Sequence, residues 1–226
     1  MPRIIILLAV ASALALLGIG TYFVFTAGPV AVSVGPTPTF VLATSTISES
    51  TDAFDIDAEY PQFGMSAIDT QIRTAYEEAI AELKAQPVVP HGESAAKNSF
   101  FGRFDKTYSG PDIISAELIL SQYTGGAHPS TIFAGVAFDR TTGKRLELSD
   151  ALALIGKNIT DVSASSTQIL THDLGEGFMF PEGANTNPEN FSSFVVSADM
   201  VTFIFQQYQV APYAAGPQRV SFLRVR

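Results

Sequence analysis

Between residues 52 and 60 apolar and acidic side chains alternate strictly, with Phe54, Ile56, Ala58 and Tyr60 on one side and Asp55, Asp57 and Glu59 on the other. A period of two is the repeat of an extended chain, so this segment predicts a half-buried strand with an acidic outer face. From Ser66 the period changes. Ile68, Ile72, Tyr76, Ile80 and Leu83 recur at spacings of 4, 4, 4 and 3, while Asp69, Arg73, Glu77, Glu78 and Lys84 fall off that stripe. This is the pattern of an amphipathic helix with one face toward a core, closed by Pro87 and Pro90.

A hairpin is predicted next, with one arm over 99–108, a turn at Ser109, Gly110 and Pro111, and a second arm over 113–123 in which Ile114, Ala116, Leu118 and Leu120 alternate with Ser115, Glu117 and Ser121. After a glycine-rich loop at 124–129, residues 131–139 alternate again, and the turn at 141–144 leads into a short strand over 144–148. Ser149 is the predicted cap of a short helix over 150–154, and a second helix is predicted over 160–174, ending at Gly175. Residues 175–189, rich in Gly, Asn, Pro and acid, read as a loop. Three strands close the chain over 191–197, 200–209 and 218–225. The order β-α-ββ-ββ-αα-βββ predicts an α+β fold with largely antiparallel pairing: a small β-α-β-β unit over 51–125 and a larger antiparallel sheet packed with two helices over 126–226.

Residues 4–25 carry no charge, enough length for a helix to cross a bilayer core. Arg3 and the amino terminus are the positive charges beside this run, and the next acid is Glu49, so the expected topology is a single-pass signal anchor over 1–25 with the amino end inside. With three residues before the span, no cytoplasmic domain is expected. Small residues at 31–33 and 41–43 suit signal peptidase and keep a cleavable leader as the competing reading, although the apolar run is long for one. No cysteine follows, which excludes a lipid-modified cysteine anchor. Residues 26–50, mixing Gly, Pro, Ser, Thr and Val without a period, are expected to be an extended linker.

Composition narrows the function classes. The chain holds 22 acidic and 13 basic residues, and since Arg3 is the one charge in the first 46 residues, the remainder carries a formal charge of −10. That disfavours nucleic acid, whose binding needs Lys and Arg against phosphates. Three candidate chemistries remain weak. His91, His128 and His172 are far apart and form no paired zinc motif, so no metal site and no cofactor are predicted. There is no G-x-S-x-G and no cysteine nucleophile, and the carboxylate pairs Glu176 with Glu182 or Asp173 with Glu176 lie in an aperiodic loop or where the predicted helix runs into it. No catalytic residue is predicted, and the chain is read as a non-enzyme.

The better candidates are binding groups. His128 follows Gly125 and Gly126, which let backbone approach closely, though it can equally serve to fix its own loop. Tyr123, at the start of that loop, and Tyr213, in the loop at 211–216, place aromatic surface at strand ends. Tyr213 can alternatively be core. The row Asp55, Asp57 and Glu59 can be a solvated strand face or a patch that steers a cationic partner.

Two strings carry a family resemblance. Tyr123-Thr-Gly-Gly-Ala-His128, with the strand ending Phe138-Asp139, the turn Thr142-Gly143 and Leu146-Glu-Leu-Ser-Asp150 after it, resembles the C-terminal domain of the RsiV-like family, as does the distal string from Phe203 through Tyr208 and Tyr213 to Gly216. The strand and helix between Phe54 and Lys84 resemble the smaller domain that precedes it in the same proteins. The family includes the extracytoplasmic half of RsiV-type anti-sigma factors, which bind lysozyme, and a non-catalytic region of some peptidoglycan deacetylases. The resemblance implies an outer binding module at a bacterial envelope. Two departures stop anything further from being carried over: this sequence has no anti-sigma segment before its span and no deacetylase domain after it.

The function expected from these readings is non-covalent binding of a cationic protein, lysozyme being the concrete candidate, through Tyr123, His128, Tyr213, Asp55, Asp57 and Glu59. An alternative of a different class is a wall-active hydrolase or a glycan-binding accessory module, with His128 and the Glu176/Glu182 loop lining a groove. A third is a structural envelope protein without a soluble ligand.

Overall fold

A computed structural model describes residues 42–88 and 97–225. The expected span over 4–25, most of the expected linker and His91 therefore lie outside the described residues. Among the described residues no helix is long and apolar enough to cross a membrane.

The fold is α+β, built on a five-stranded sheet in spatial order β1 (Ala43–Ser50), β2 (Phe54–Gln62), β3 (Asn98–Ser109), β4 (Ile113–Tyr123) and β5 (Ser130–Asp139). Every neighbouring pair is antiparallel except β2 with β3, which run parallel. A parallel pair needs a crossover, and helix α1 (Ser66–Ala85) supplies it. The predicted stripe of α1, from Ile68 to Leu83, is the buried one, and it packs with Ile56, Ala58, Tyr60, Phe100 and Leu118 on one face of the sheet. Tyr76 lies over bare backbone: a Cβ at Gly102 would stand 2.7 Å from its ring. The Tyr76 hydroxyl, whose pKa is pushed up by burial, donates to the Arg103 carbonyl at 2.7 Å.

Two expectations change here. Residues 43–50, read as the end of the linker, form edge strand β1. They alternate Ser45, Ile47 and Glu49 against Thr44, Thr46, Ser48 and Ser50 with Ile47 as the one large apolar residue, too faint a signal until β2 supplies the pairing. Glu49 reaches Lys84 of α1 at 2.5 Å and ties this edge to the helix. The larger sheet is the mixed one, because β5 pairs with β4; the C-terminal antiparallel sheet has three strands, β6 (Phe194–Val196), β7 (Met200–Phe205) and β8 (Gln218–Leu223).

The second sheet covers one end of the outer face of the first. Main chain meets main chain there: a Cβ at Gly135 would lie 2.3 Å from the Phe194 carbonyl oxygen. The hydroxyl of Ser115 donates to Val136 O at 2.8 Å and accepts from Val196 N–H at 3.0 Å, stitching β4 to β6. Glu117, fully buried on β4, is bound by the guanidinium of Arg219 on β8. The three-stranded sheet packs with α2 (Leu148–Ile155) and α3 (Ile159–Leu174) around a second core that includes Phe191, Phe203, Phe205 and Phe222.

Local ends differ from expectation for identifiable reasons. Residues 144–148 make one bridge, Phe138 to Arg145, and then turn helical. The cap of α2 is Glu147, in a reciprocal box with Asp150, and not Ser149. The cap of α3 is Asn158, whose side chain accepts from Asp161 N–H. Pro181–Ala184 forms a 3-10 turn inside the predicted loop, and a second, Pro188–Phe191, runs past its end, so the strand expected from 191 starts at Phe194. Strand β7 stops at Phe205 because the main chain of Gln206 is taken up by a turn: its N–H donates to Gln209 Oε1 at 2.8 Å and its carbonyl accepts from Gln209 N–H at 3.0 Å.

Candidate binding site

Strand β5 is an edge, and its outward main-chain groups at Phe133 and Gly135 are occupied by side chains. Gln206 donates to Phe133 O at 2.8 Å and accepts from Phe133 N–H at 2.9 Å; Ser193 accepts from Gly135 N–H and donates to Phe133 O. These bonds close the edge against other strands and anchor the start of the 206–217 connection beside the β4–β5 loop. Gln209 holds the other side, donating to Gly183 O and Asn190 O.

That anchoring brings two predicted residues together. His128 lies flat on Tyr213, ring centroids 3.9 Å apart and planes 20° apart. Tyr208 completes the group, 5.3 Å from Tyr213 and 6.4 Å from His128. His128 is exposed, Tyr213 half-buried and Tyr208 60% exposed. The backbone of Tyr208 has φ 65°, a left-handed conformation that a bulky residue adopts at a cost. Tyr213 stands at the start of a 3-10 turn, Tyr213–Ala215, that Gln218 secures by donating to Ala215 O at 2.7 Å. Gly125 and Gly126, with φ 101° and 108°, turn the β4–β5 loop so that His128 faces it.

The His128 ring is oriented by a bond from Nδ1 to the Pro129 carbonyl at 2.9 Å. A carbonyl only accepts, so Nδ1 carries a proton, and in the neutral imidazole Nε2 is the acceptor. Tyr123 belongs to the same loop: its hydroxyl donates to Gly126 O at 3.0 Å. The site is therefore an exposed aromatic surface with phenol hydroxyls and one imidazole acceptor at its rim. Such a surface stacks against apolar faces of flat or ring-shaped ligands and orients their polar edges.

The acid row lies farther off. The register Ser50–Asp55–Ser99–Tyr123 places Asp55 in the cross-strand row of Tyr123, two strands or about 10 Å away. Asp57 is not free: Arg103 binds its carboxylate at 2.8 Å and its carbonyl at 3.2 Å, with the guanidinium 3.7 Å over the exposed Phe101 ring. Glu59 is half-buried. Glu176 and Glu182 make no hydrogen bond or ion pair with His128 among the described residues, and no group of three or more His, Cys, Asp or Glu there could hold a metal ion. Tyr208 was missed by sequence reasoning. It falls in the stretch 200–209 read as strand, and Gln206 and Gln209 on either side of it were the available sign of a turn.

Residues 47–131 match the family Deacetylase PdaC, and residues 146–222 match the family Protein of unknown function (DUF3298). Over 185 residues the chain is 21% identical to the peptidoglycan-N-acetylmuramic acid deacetylase PdaC of Bacillus subtilis, covering 78% of this chain and 39% of that protein. Solved structures similar to it include a DUF3298 family member from Bacteroides fragilis, with 16% identity, TM-score 0.47 and coverage of 81% of this chain and 90% of the other. A DUF3298 family protein from Pseudomonas aeruginosa shows 15% identity, TM-score 0.49 and coverage of 84% and 95%. The chain is thus similar to the PdaC family over residues 47–131 and to the DUF3298 family over residues 146–222.

Proposed function

We propose that this protein is a non-catalytic binding module of the bacterial cell envelope, tethered through residues 4–25 with its folded part outside, and that it holds cell-wall glycan on the His128, Tyr208 and Tyr213 surface. The observation that carries the reading is the exposed stack of His128 on Tyr213. Pyranose rings offer C–H faces to aromatic rings and hydroxyls or acetamido groups to a rim of acceptors and donors. The match of residues 47–131 to the PdaC family supports a wall-associated role. The test is calorimetric titration of the full chain in zwitterionic nanodiscs with soluble peptidoglycan glycan strands. Saturable binding that Tyr213→Ala weakens and that barely changes between about 50 and about 300 mM salt supports it. No binding, or binding indifferent to Tyr213→Ala, overturns it.

A second reading is a basic protein partner, with lysozyme as the named case through the RsiV-like resemblance. The formal charge of −10 beyond residue 46 favours it by steering a cation toward the module. Asp55, exposed in the cross-strand row of Tyr123, is the acid of the β2 row best placed to contribute. Lysozyme binding that weakens steeply with salt supports this reading; no binding at either salt removes it.

A further inference from the structure

Between Lys157 and Arg219 the chain has no basic residue other than His172, and it has six acids: Asp161, Asp173, Glu176, Glu182, Glu189 and Asp199. In the middle of this stretch lies an apolar feature unusual for a surface loop. Phe178 is 64% exposed and Phe180 is 38% exposed, while Met179 between them is 9% exposed and packs into the second core. The alternation points both rings outward and uses Met179 as the anchor. The segment is fixed at its two ends. Gly175 and Gly177, with φ 93° and 86°, turn the chain off α3, and Phe180 N–H donates to Val210 O at 2.8 Å. Glu176 and Glu182 are exposed on either side of the two rings, and neither has an ion-pair partner among the described residues.

Two outward phenylalanines rimmed by unpaired carboxylates define a partner by its chemistry. The rings need apolar side chains to cover them, and the carboxylates need cations. A second copy would set −10 against −10, and an anionic lipid surface would meet the same repulsion. We propose that the loop at 175–182 is a docking surface for a basic polypeptide that presents apolar side chains among its Lys and Arg residues. This deepens the basic-partner reading, on which it rests, and is independent of the glycan reading.

The experiment uses the full chain in zwitterionic nanodiscs and two probes: a basic animal-type lysozyme, and a peptide of alternating Lys and Phe with a Lys and Ser peptide as control. Phe178→Ser with Phe180→Ser removes the rings, and Glu176→Gln with Glu182→Gln removes the charges. Both pairs are exposed, and an unchanged thermal transition shows that each variant is folded. The expected result is a loss of about 10-fold in affinity for the first pair and a flatter salt dependence for the second, with the Lys and Ser peptide bound more weakly than the Lys and Phe peptide. Loss of affinity in the variants for the peptide alone keeps the surface and removes lysozyme as its partner. Wild-type binding that both variants retain in full overturns the surface while leaving the basic-partner reading standing. No binding of either probe by the wild type overturns both.

Discussion

His128 and Tyr213, 85 positions apart in sequence, lie face to face at 3.9 Å, and each comes from a loop whose own glycines and glutamines hold it there. The pair is a surface because neither ring enters the cores: the second core closes beneath the loop with Val210, leaving the rings outside. Removing one ring therefore takes away part of the proposed contact surface and not part of either core. Tyr213→Ala is expected to lower affinity for soluble glycan strands about 10-fold, and Tyr213→Phe, which keeps the ring, by about 3-fold or less. Titration calorimetry of the two variants separates the face of the ring from its hydroxyl.

Gly135 marks where the two sheets touch main chain to main chain. A methyl group there would stand 2.3 Å from Phe194 O, and backbone cannot swing aside as a flexible side chain can. Gly135→Ala is expected to cost at least about 3 kcal/mol, above the usual range for an added methylene. The urea midpoint of the variant checks this, and Gly126→Ala, which meets open space but carries a positive φ, is expected to cost less.

Glu117 and Arg219 form the charged contact between the sheets. Arg219→Met leaves a carboxylate buried without its partner and is expected to cost about 3 kcal/mol or more. Adding Glu117→Leu to it removes the stranded charge, so the double variant is expected to recover much of the loss. A double-mutant cycle in urea gives the coupling directly.

Asp139 gives a pH dependence whose sign can be worked out. Hydrogen bonds from the Thr142 backbone N–H at 2.7 Å and hydroxyl at 2.8 Å hold its carboxyl below the ordinary range. A group with a depressed folded pKa contributes stability that is present above its unfolded pKa, about 3.9, and is lost as pH falls through the folded value. Asp139→Asn is expected to reduce the steepness of the stability loss below about pH 4 and to leave the slope above pH 6 unchanged. Thermal transitions measured from pH 2.5 to 7 test it.

The sequence by itself determined the elements with a strong period. The stripe of α1, the alternation of β2, and β4 at 113–123 lie where the pattern puts them, because one buried face per element suffices to write a period into the chain. It also marked His128 and Tyr213 as binding candidates from glycine spacing and loop position. What tertiary structure decided was partnership. Nothing local in 43–50 distinguishes a linker from an edge strand until β2 pairs with it, and nothing in 130–139 says that β5 joins β4 and not the C-terminal strands. The pairing of Asp57 with Arg103, which withdraws one acid from the expected patch, depends on the parallel register of β2 and β3. Contacts between distant segments leave no period in either one, and the stack of His128 on Tyr213, with Tyr208 beside it, exists only because Gln206 binds its loop to the edge of β5.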